Sequence, residues 1–188
     1  MKTSIVVPNY NGRKLLEKNL PSWLSIGVDE LIIVDDASSD QSVAYLKTQS
    51  VKLKTTGQIL KLLINKQNMG FSATVNKGVS RASGDIVILL NTDVWVESGL
   101  LDAILPHFKN KKLFGVSFAE QDWSWARGIW EKGFVEHEPG PRTKEVHSTF
   151  WLSGGSSAVR REMWNKLGGL DTIYAPFYWE DLDISYRA

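Results

Sequence analysis

Five consecutive apolar residues, Ile86-Val87-Ile88-Leu89-Leu90, follow Gly84-Asp85 and stop on Asn91-Thr92-Asp93. A run that short, partly β-branched and apolar on both faces, reads as a central strand of a parallel sheet covered from both sides. Sheets of this kind place their ligand sites beyond the carboxyl ends of the strands. Asp93 therefore stands where packing gives a carboxylate little reason to be and chemistry gives it one.

At 188 residues the chain suits one domain, large enough to bury about 70% of its unfolded surface. A hydrophobic content of 43% and a net charge of +1 exclude a disordered chain and a general nucleic-acid binder. No apolar run reaches the ~18 residues of a membrane span, and Met1-Lys2-Thr3 enters a strand with no room for a signal peptide. The absence of cysteine excludes disulfides, thiolate zinc sites and cysteine nucleophiles, and fits a cytoplasmic protein. Eight tryptophans are the compositional oddity, most of them after residue 120.

In chain order, Ser4 to Pro8 is a first strand, followed by the turn Asn9-Tyr10-Asn11-Gly12 with Asn11 as N-cap. Residues 13 to 25 form an amphipathic helix that Pro21 should kink or split. Leu31 to Val34 is a second strand ending on Asp35-Asp36, and Ser38-x-x-Gln41 is a capping box opening a helix to about Thr48. Residues 50 to 58 read as a polar loop and Ile59 to Ile64 as a third strand. A helix begins near Ser72 and ends before Gly84 as C′ glycine; another spans Gly99 to Lys109, and Leu113 to Ala119 is a strand. This alternation predicts a three-layer α/β/α, Rossmann-like domain with a mostly parallel sheet. From Glu120 the rhythm gives way to a Trp-rich, loop-like insertion; regularity returns at Thr149, with helices over Arg161 to Leu167 and from Trp179 onward.

Acidic groups fall at three strand or helix ends: Asp35/Asp36, Asp93 and Glu180/Asp181. Carboxylates sharing one sheet edge repel, so a positive or hydrogen-bonding group belongs between them, and hard oxygen ligands favour Mg²⁺ or Mn²⁺. Each also has a plain structural role open to it. Asp35 and Asp36 are equally turn or cap residues, Asp93 an Asx-turn, and Glu180 and Asp181 ordinary first-turn acids.

The motifs Val6–Asn11, Val34–Asp40, Asn68-x-Gly70-Phe71-Ser72, Gly84–Asp93 and Trp179-Glu180-Asp181-Leu182-Asp183, in this order, resemble the family 2 glycosyltransferases of GT-A fold. The resemblance spans essentially the whole chain. It implies one catalytic domain over 1–188, short at its C-terminus, with a nucleotide-binding half (1–119) and an acceptor half (120–188). The implied activity is inverting transfer of a sugar from a UDP- or dTDP-linked donor to a hydroxyl acceptor in glycan or polysaccharide synthesis. Pro8 and Tyr10 would line the base pocket; Asp36, or Asp35, would accept from the base N–H; Asn68 and Gly70 would approach ribose and phosphates. Asn91-Thr92-Asp93 stands in place of the family's Asp-x-Asp motif, with Asp93 binding Mg²⁺ or Mn²⁺ and Asn91 bringing one charge fewer. Asp181 would be the general base, Glu180 the less favoured one, and Trp151, Gly154, Gly155 and Ser156 would shape the sugar and acceptor side.

The acceptor implied is a saccharide, a lipid-linked saccharide or a protein, with peripheral contact at the inner face of a membrane compatible with it. The insertion over 120 to 135 is a candidate sugar-stacking or partner surface, packing being the commoner role of such rings. His107, His137 and His147 do not match the family's metal-shell histidine, and Ala188 follows the proposed base by seven residues. A catalytically incomplete nucleotide-sugar-binding module is the alternative. A nucleotidyltransferase is disfavoured, because Asn-Tyr-Asn-Gly is no glycine-rich, basic phosphate loop.

Overall fold

The computed structural model describes residues 1–55, 57, 59–120, 125–141, 143 and 145–188. Its core is a six-stranded sheet in the order β3-β2-β1-β4-β8-β5, formed by β1 (Thr3–Asn9), β2 (Glu30–Asp35), β3 (Leu60–Ile64), β4 (Ile86–Leu90), β5 (Gly115–Ser117) and β8 (Ser156–Arg160). The strands β3, β2, β1 and β4 are parallel; β8 runs antiparallel between β4 and β5. Period-2 alternation splits the apolar side chains between two layers. Ile5, Val7, Leu31, Ile33, Ile86 and Ile88 pack with Leu16, Leu20 and Trp23 of α1 (Arg13–Ser25) and with Leu46 of α2 (Ser42–Thr55). Val6, Ile32, Val34, Val87 and Leu89 pack with Val75 and Val79 of α3 (Phe71–Arg81), Trp164 of α5 (Arg161–Leu167) and Ile184 of α6 (Glu180–Arg187). The three-layer expectation holds.

Several local expectations do not. The polar stretch 50–58 is helical as far as Thr55, because Leu53 lies two turns beyond Leu46 and packs on the same layer. Ser38 does not open that helix; Asp40 does, its Oδ1 accepting from the Ser42 N–H at 2.9 Å. Asn11 is no N-cap of α1, and its side chain accepts instead from the Ser39 N–H at 2.8 Å. Pro21 sits on the exposed side of α1 without splitting it, the turns on either side being held by buried Leu20 and Trp23. The helix after Gly99 is only α4 (Leu100–Ile104), passing into a 3₁₀ turn (Leu105–Lys109) that contains Pro106. Gly84 is not a helix cap: α3 ends at Arg81, and the Gly84 N–H donates to Ser4 Oγ at 2.8 Å.

Most of the loop-like insertion forms a two-stranded hairpin, β6 (Ala126–Glu131) and β7 (Phe134–Pro139). Its two-residue turn has φ of 49° at Lys132 and 86° at Gly133, the paired positive values of a type I′ turn. Trp123 of the insertion lies outside the described residues.

At the edge opposite the acidic motifs, buried Glu30 fastens three strands and a loop. Its Oε1 accepts from Ser4 Oγ and from both the N–H and Oγ of Ser83, while Oε2 pairs with the Lys61 ammonium. Burial alone would raise this carboxyl, yet Lys61 and the donors of Ser4 and Ser83 hold it down to about 2, from an ordinary 4.5. A folded pKa below the unfolded one stabilises the fold above pH 4.5 and loses that contribution as pH falls toward 2. The shift is worth on the order of 3 kcal/mol. Glu30→Gln should therefore lower stability at pH 7 by about that amount and flatten the loss between pH 4.5 and 2, as read by urea unfolding.

Candidate active site

The rim of the sheet carries the acidic motifs because β1, β2 and β4 all end there. Asp35, at the end of β2, is fully buried and structural: Asn9 Nδ2 and Ser38 Oγ donate to its Oδ2, each at 2.7 Å, and the Ser38 N–H to its Oδ1 at 2.9 Å. These bonds tie the β1–α1 turn to the β2–α2 turn and draw the Asp35 carboxylate inward.

Asp36, 4% exposed, holds the loop before α3. Its Oδ1 accepts from Asn65 Nδ2 at 2.7 Å and the Met69 N–H at 2.8 Å, its Oδ2 from the Gly70 N–H at 2.9 Å. Gly70 has a φ of 81°, the left-handed region, so a side chain there would be strained. Asn68 is exposed beside it, its Oδ1 also accepting from the Gly70 N–H at 3.0 Å. Tyr10 is exposed at the tip of the neighbouring turn, just beyond half-buried Pro8.

The loop after β4 is anchored by polar residues on the inner face of α1. Asn19 Nδ2 donates to the Thr92 carbonyl at 2.7 Å, Trp23 Nε1 to the Val94 carbonyl at 2.8 Å, and the Val96 N–H to Ser22 Oγ at 3.3 Å. The backbone is thus fixed on both sides of Asp93, whose exposed carboxylate has no hydrogen bond or ion pair within the described residues. Asn91 turns inward: its N–H donates to the Gly155 carbonyl at 2.8 Å, and its amide lies where a Cβ on residue 155 would be. Among the described residues no three His, Asp or Glu side chains form a metal cage. A lone free carboxylate suits a divalent cation of the Mg²⁺ type, which takes one or two carboxylates and completes its shell with phosphate oxygens and water. Asp93 is the residue that fits; Asn91 can add at most a neutral oxygen.

Asp181 stands in the first turn of α6. Its Oδ2 accepts from the Gly154 N–H at 3.3 Å and its Oδ1 from the Leu182 N–H at 2.9 Å. Burial pushes its carboxyl above the ordinary value, opposed by those amides and, more weakly, by His137. Ser185 locks the helix to the same loop, accepting from the Leu152 N–H at 2.9 Å and donating to the Asp181 carbonyl at 2.6 Å. Glu180 points inward: it is 4% exposed, its Oε2 has no partner, and burial followed by the Asp181 charge raises its carboxyl. A side chain that enclosed is badly placed to meet a substrate.

Gly154 joins the parts. A Cβ on it would sit 3.4 Å from the Phe71 ring and 3.5 Å from Asp181 Cβ, so the start of α3, the loop before β8 and α6 meet there. The adjoining cleft, of about 1650 Å³, is lined by Asn91, Asp93, Trp95, Trp151, Gly155 and Ser156 among others. Ser156 Oγ donates to Glu120, a residue that sequence reasoning passed over. It also missed Asn19 and Ser22, although two polar side chains on the apolar face of α1 were a legible signal. His137, stacked edge-on to Trp151 with ring centroids 4.4 Å apart, gave no such signal.

A three-layer domain on a mostly parallel sheet, with Asp93 exposed after β4 and half-buried Asp181 against the loop before β8, is a GT-A domain of glycosyltransferases. Residues 4–168 match Glycosyl transferase family 2, and the chain belongs to that family. It is 25% identical over 144 residues to dolichol-phosphate mannosyltransferase of Pyrococcus furiosus, covering 72% of this chain and 40% of the relative. It is 29% identical over 182 residues to inactive polypeptide N-acetylgalactosaminyltransferase-like protein 5 of Macaca fascicularis, covering 85% and 40%. The chain thus spans about 40% of the length of each. The structure of GalNAc-T7 with UDP, GalNAc and Mn²⁺ superposes with a TM-score of 0.81 at 18% identity, over all of this chain and 40% of that one.

Removing the Asp36 carboxylate takes an acceptor from three donors, of which the Gly70 N–H keeps Asn68 Oδ1 and Asn65 Nδ2 keeps Thr74 Oγ1, leaving the Met69 N–H alone. Asp36→Ala should cost about 1–3 kcal/mol and speed hydrogen exchange at the Met69 and Gly70 amides while the amides of β4 stay protected.

Proposed function

We propose that this domain transfers a sugar from a nucleoside diphosphate, UDP or dTDP, to an acceptor hydroxyl with inversion at the anomeric carbon. The observation that carries the reading is Asp181, half-buried with a raised pKa and held by the Gly154 N–H, next to Gly155 of the cleft that Asp93 lines. Asp181 takes the proton of the acceptor hydroxyl as its oxygen bonds to the anomeric carbon and the bond to the diphosphate breaks. A raised pKa strengthens a carboxylate as a base. The Gly154 and Leu182 amides hold its two oxygens in place. Tyr10, Asn68 and Gly70 receive the nucleotide, with Asp36 acting indirectly by fixing the Asn68–Gly70 backbone. Mg²⁺ or Mn²⁺ bound at Asp93 would neutralise charge on the departing diphosphate. Trp151, Gly154, Gly155 and Ser156 shape the sugar side. The acceptor is a saccharide, free or carried on a lipid or protein.

A second reading has the same fold bind the nucleotide sugar without turning it over. The likeness to a relative named inactive favours it, as does Asn91 in place of a second acid.

Two measurements separate the readings. Calorimetric titration with UDP, with and without Mn²⁺, reports nucleotide binding. Transfer or donor hydrolysis by wild type and Asp181→Asn then reports catalysis, with an expected loss of ~10²–10⁴-fold and unchanged UDP affinity. Nucleotide binding without transfer or hydrolysis by either protein would leave the binding module.

The wild-type rate should also fall as pH drops through the Asp181 pKa, which lies above the ordinary 3.8. Because its folded pKa exceeds the unfolded one, charged Asp181 destabilises the fold at neutral pH. Asp181→Asn should accordingly raise Tm there and lose that advantage below the unfolded pKa.

A further inference from the structure

The hairpin β6–β7 is not part of the six-stranded sheet, yet its register sends one face onto Phe150 and Trp151, two residues that line the cleft. Cross-strand pairs Ala126–Pro139, Gly128–His137 and Trp130–Val135 share that face. At its root Ala126 is buried, with its carbonyl accepting from the Phe150 N–H at 2.8 Å and its N–H donating to Thr149 Oγ1 at 3.1 Å. Gly128 lies flush on the Phe150 ring, where a Cβ would collide. His137 meets the Trp151 ring at 4.4 Å and 77° and the Trp179 ring at 6.4 Å and 84°. Trp179 is two residues before Asp181, and His137 weakly stabilises the charge of that aspartate. One pair further out, about 7 Å along the strand, Trp130 and Val135 continue the same face, Trp130 being 73% exposed.

We propose that this hairpin is an acceptor arm, on which Trp151, Trp179, His137 and Trp130 form an aromatic ledge leading away from Asp181 that stacks successive rings of an oligosaccharide. The proposal rests on the reading of Asp181 as the residue that receives the acceptor hydroxyl. Sugar rings offer apolar C–H faces to aromatic side chains and hydroxyls to the polar groups around them. The ledge supplies the first, while Arg127, Glu136 and Glu138 alternate onto the opposite, outer face of the hairpin. The ledge is also continuous with the cleft through Trp151. Glu131, Glu136 and Glu138 outnumber Arg127 and Lys132 on the hairpin, a balance that disfavours an anionic membrane surface even though Ile129 and Phe134 are exposed on the outer face. The second ring of an acceptor falls on Trp130, so acceptors of two or more sugars are preferred to monosaccharides.

The test uses the whole chain on an array of mono- to tetrasaccharides, α- and β-linked, of hexoses and N-acetylhexosamines, with UDP titration as the control for folding. Wild type should hold one linkage series more tightly as a second ring is added. Trp130→Ala should lose that gain, about three- to tenfold, leaving monosaccharide binding and UDP affinity unchanged. His137→Ala should weaken every member of the series by a similar factor, and His137→Phe should restore most of it. Absence of binding to every glycan overturns the proposal, as does the same length dependence in Trp130→Ala. Sedimentation with phosphatidylglycerol vesicles that depends on Trp130, without glycan binding, overturns it in favour of a membrane wedge. Asp181→Asn separates the two readings: full activity in that variant with an intact glycan preference refutes the base assignment alone.

Discussion

The site depends on one seam, the hydrogen bond from the Asn91 N–H to the Gly155 carbonyl, where the last residue of β4's neighbourhood meets the first of β8's. Parallel strands alone would carry the chain away from the rim after β4. The antiparallel return of β8, in register Leu90 to Ser156, brings residues 153–155 back to that rim. Gly155 lets the Asn91 amide lie against its backbone, and Gly154 next to it presents its N–H to Asp181. A slip of one residue in this pairing would reverse which side chains face each layer and move Gly154 off Asp181. Backbone pairing therefore brings the loop that holds Asp181 against the strand end that Asp93 follows.

Five carboxylates lie at or near this rim, and the number of donors each has sets its role. Asp35 and Asp36 each accept three hydrogen bonds, which hold the turns around them. Among the described residues Asp93 accepts none and is exposed on the cleft, while the backbone on either side of it is held by Asn19 and Trp23. Asp181 is intermediate, oriented by two amides yet desolvated enough to want its proton. Glu180 is buried without a partner for Oε2, a state a carboxyl tolerates best when protonated. Identical side chains are sorted by neighbours from distant parts of the chain.

That sorting explains what could be read from the sequence. The runs Ile5–Val7, Leu31–Val34 and Ile86–Leu90 announce central strands because burial on both faces demands apolar residues at every position. The three acidic ends follow from those strands. The partners of Asp36 lie 29 to 34 residues away, so its choice between base reader and loop clamp was not local information. β8 escaped notice because Ser156 and Ser157 are buried polar residues in a strand that turns its direction. The hairpin escaped because nearly all of its residues are exposed, so burial imposed little alternation, and Lys132-Gly133 is an unemphatic turn pair.

On the proposed reading, the bare Asp93 creates a constraint of its own. A nucleoside diphosphate is anionic, and an unpaired carboxylate beside it repels it by an amount that water screens only in part. The described residues bring no Lys or Arg ion pair to Asp93, and a cation that arrives with the donor or before it would join carboxylate to diphosphate. Cation and donor are then linked ligands, each raising the affinity for the other by the same factor. Asn91 in place of an acid shifts this balance. It weakens the hold on a cation alone and also removes one charge that would repel a donor alone. A site built in this way is emptier of cation at rest and more dependent on the pair, which is a physical consequence of one amide standing where an acid is usual.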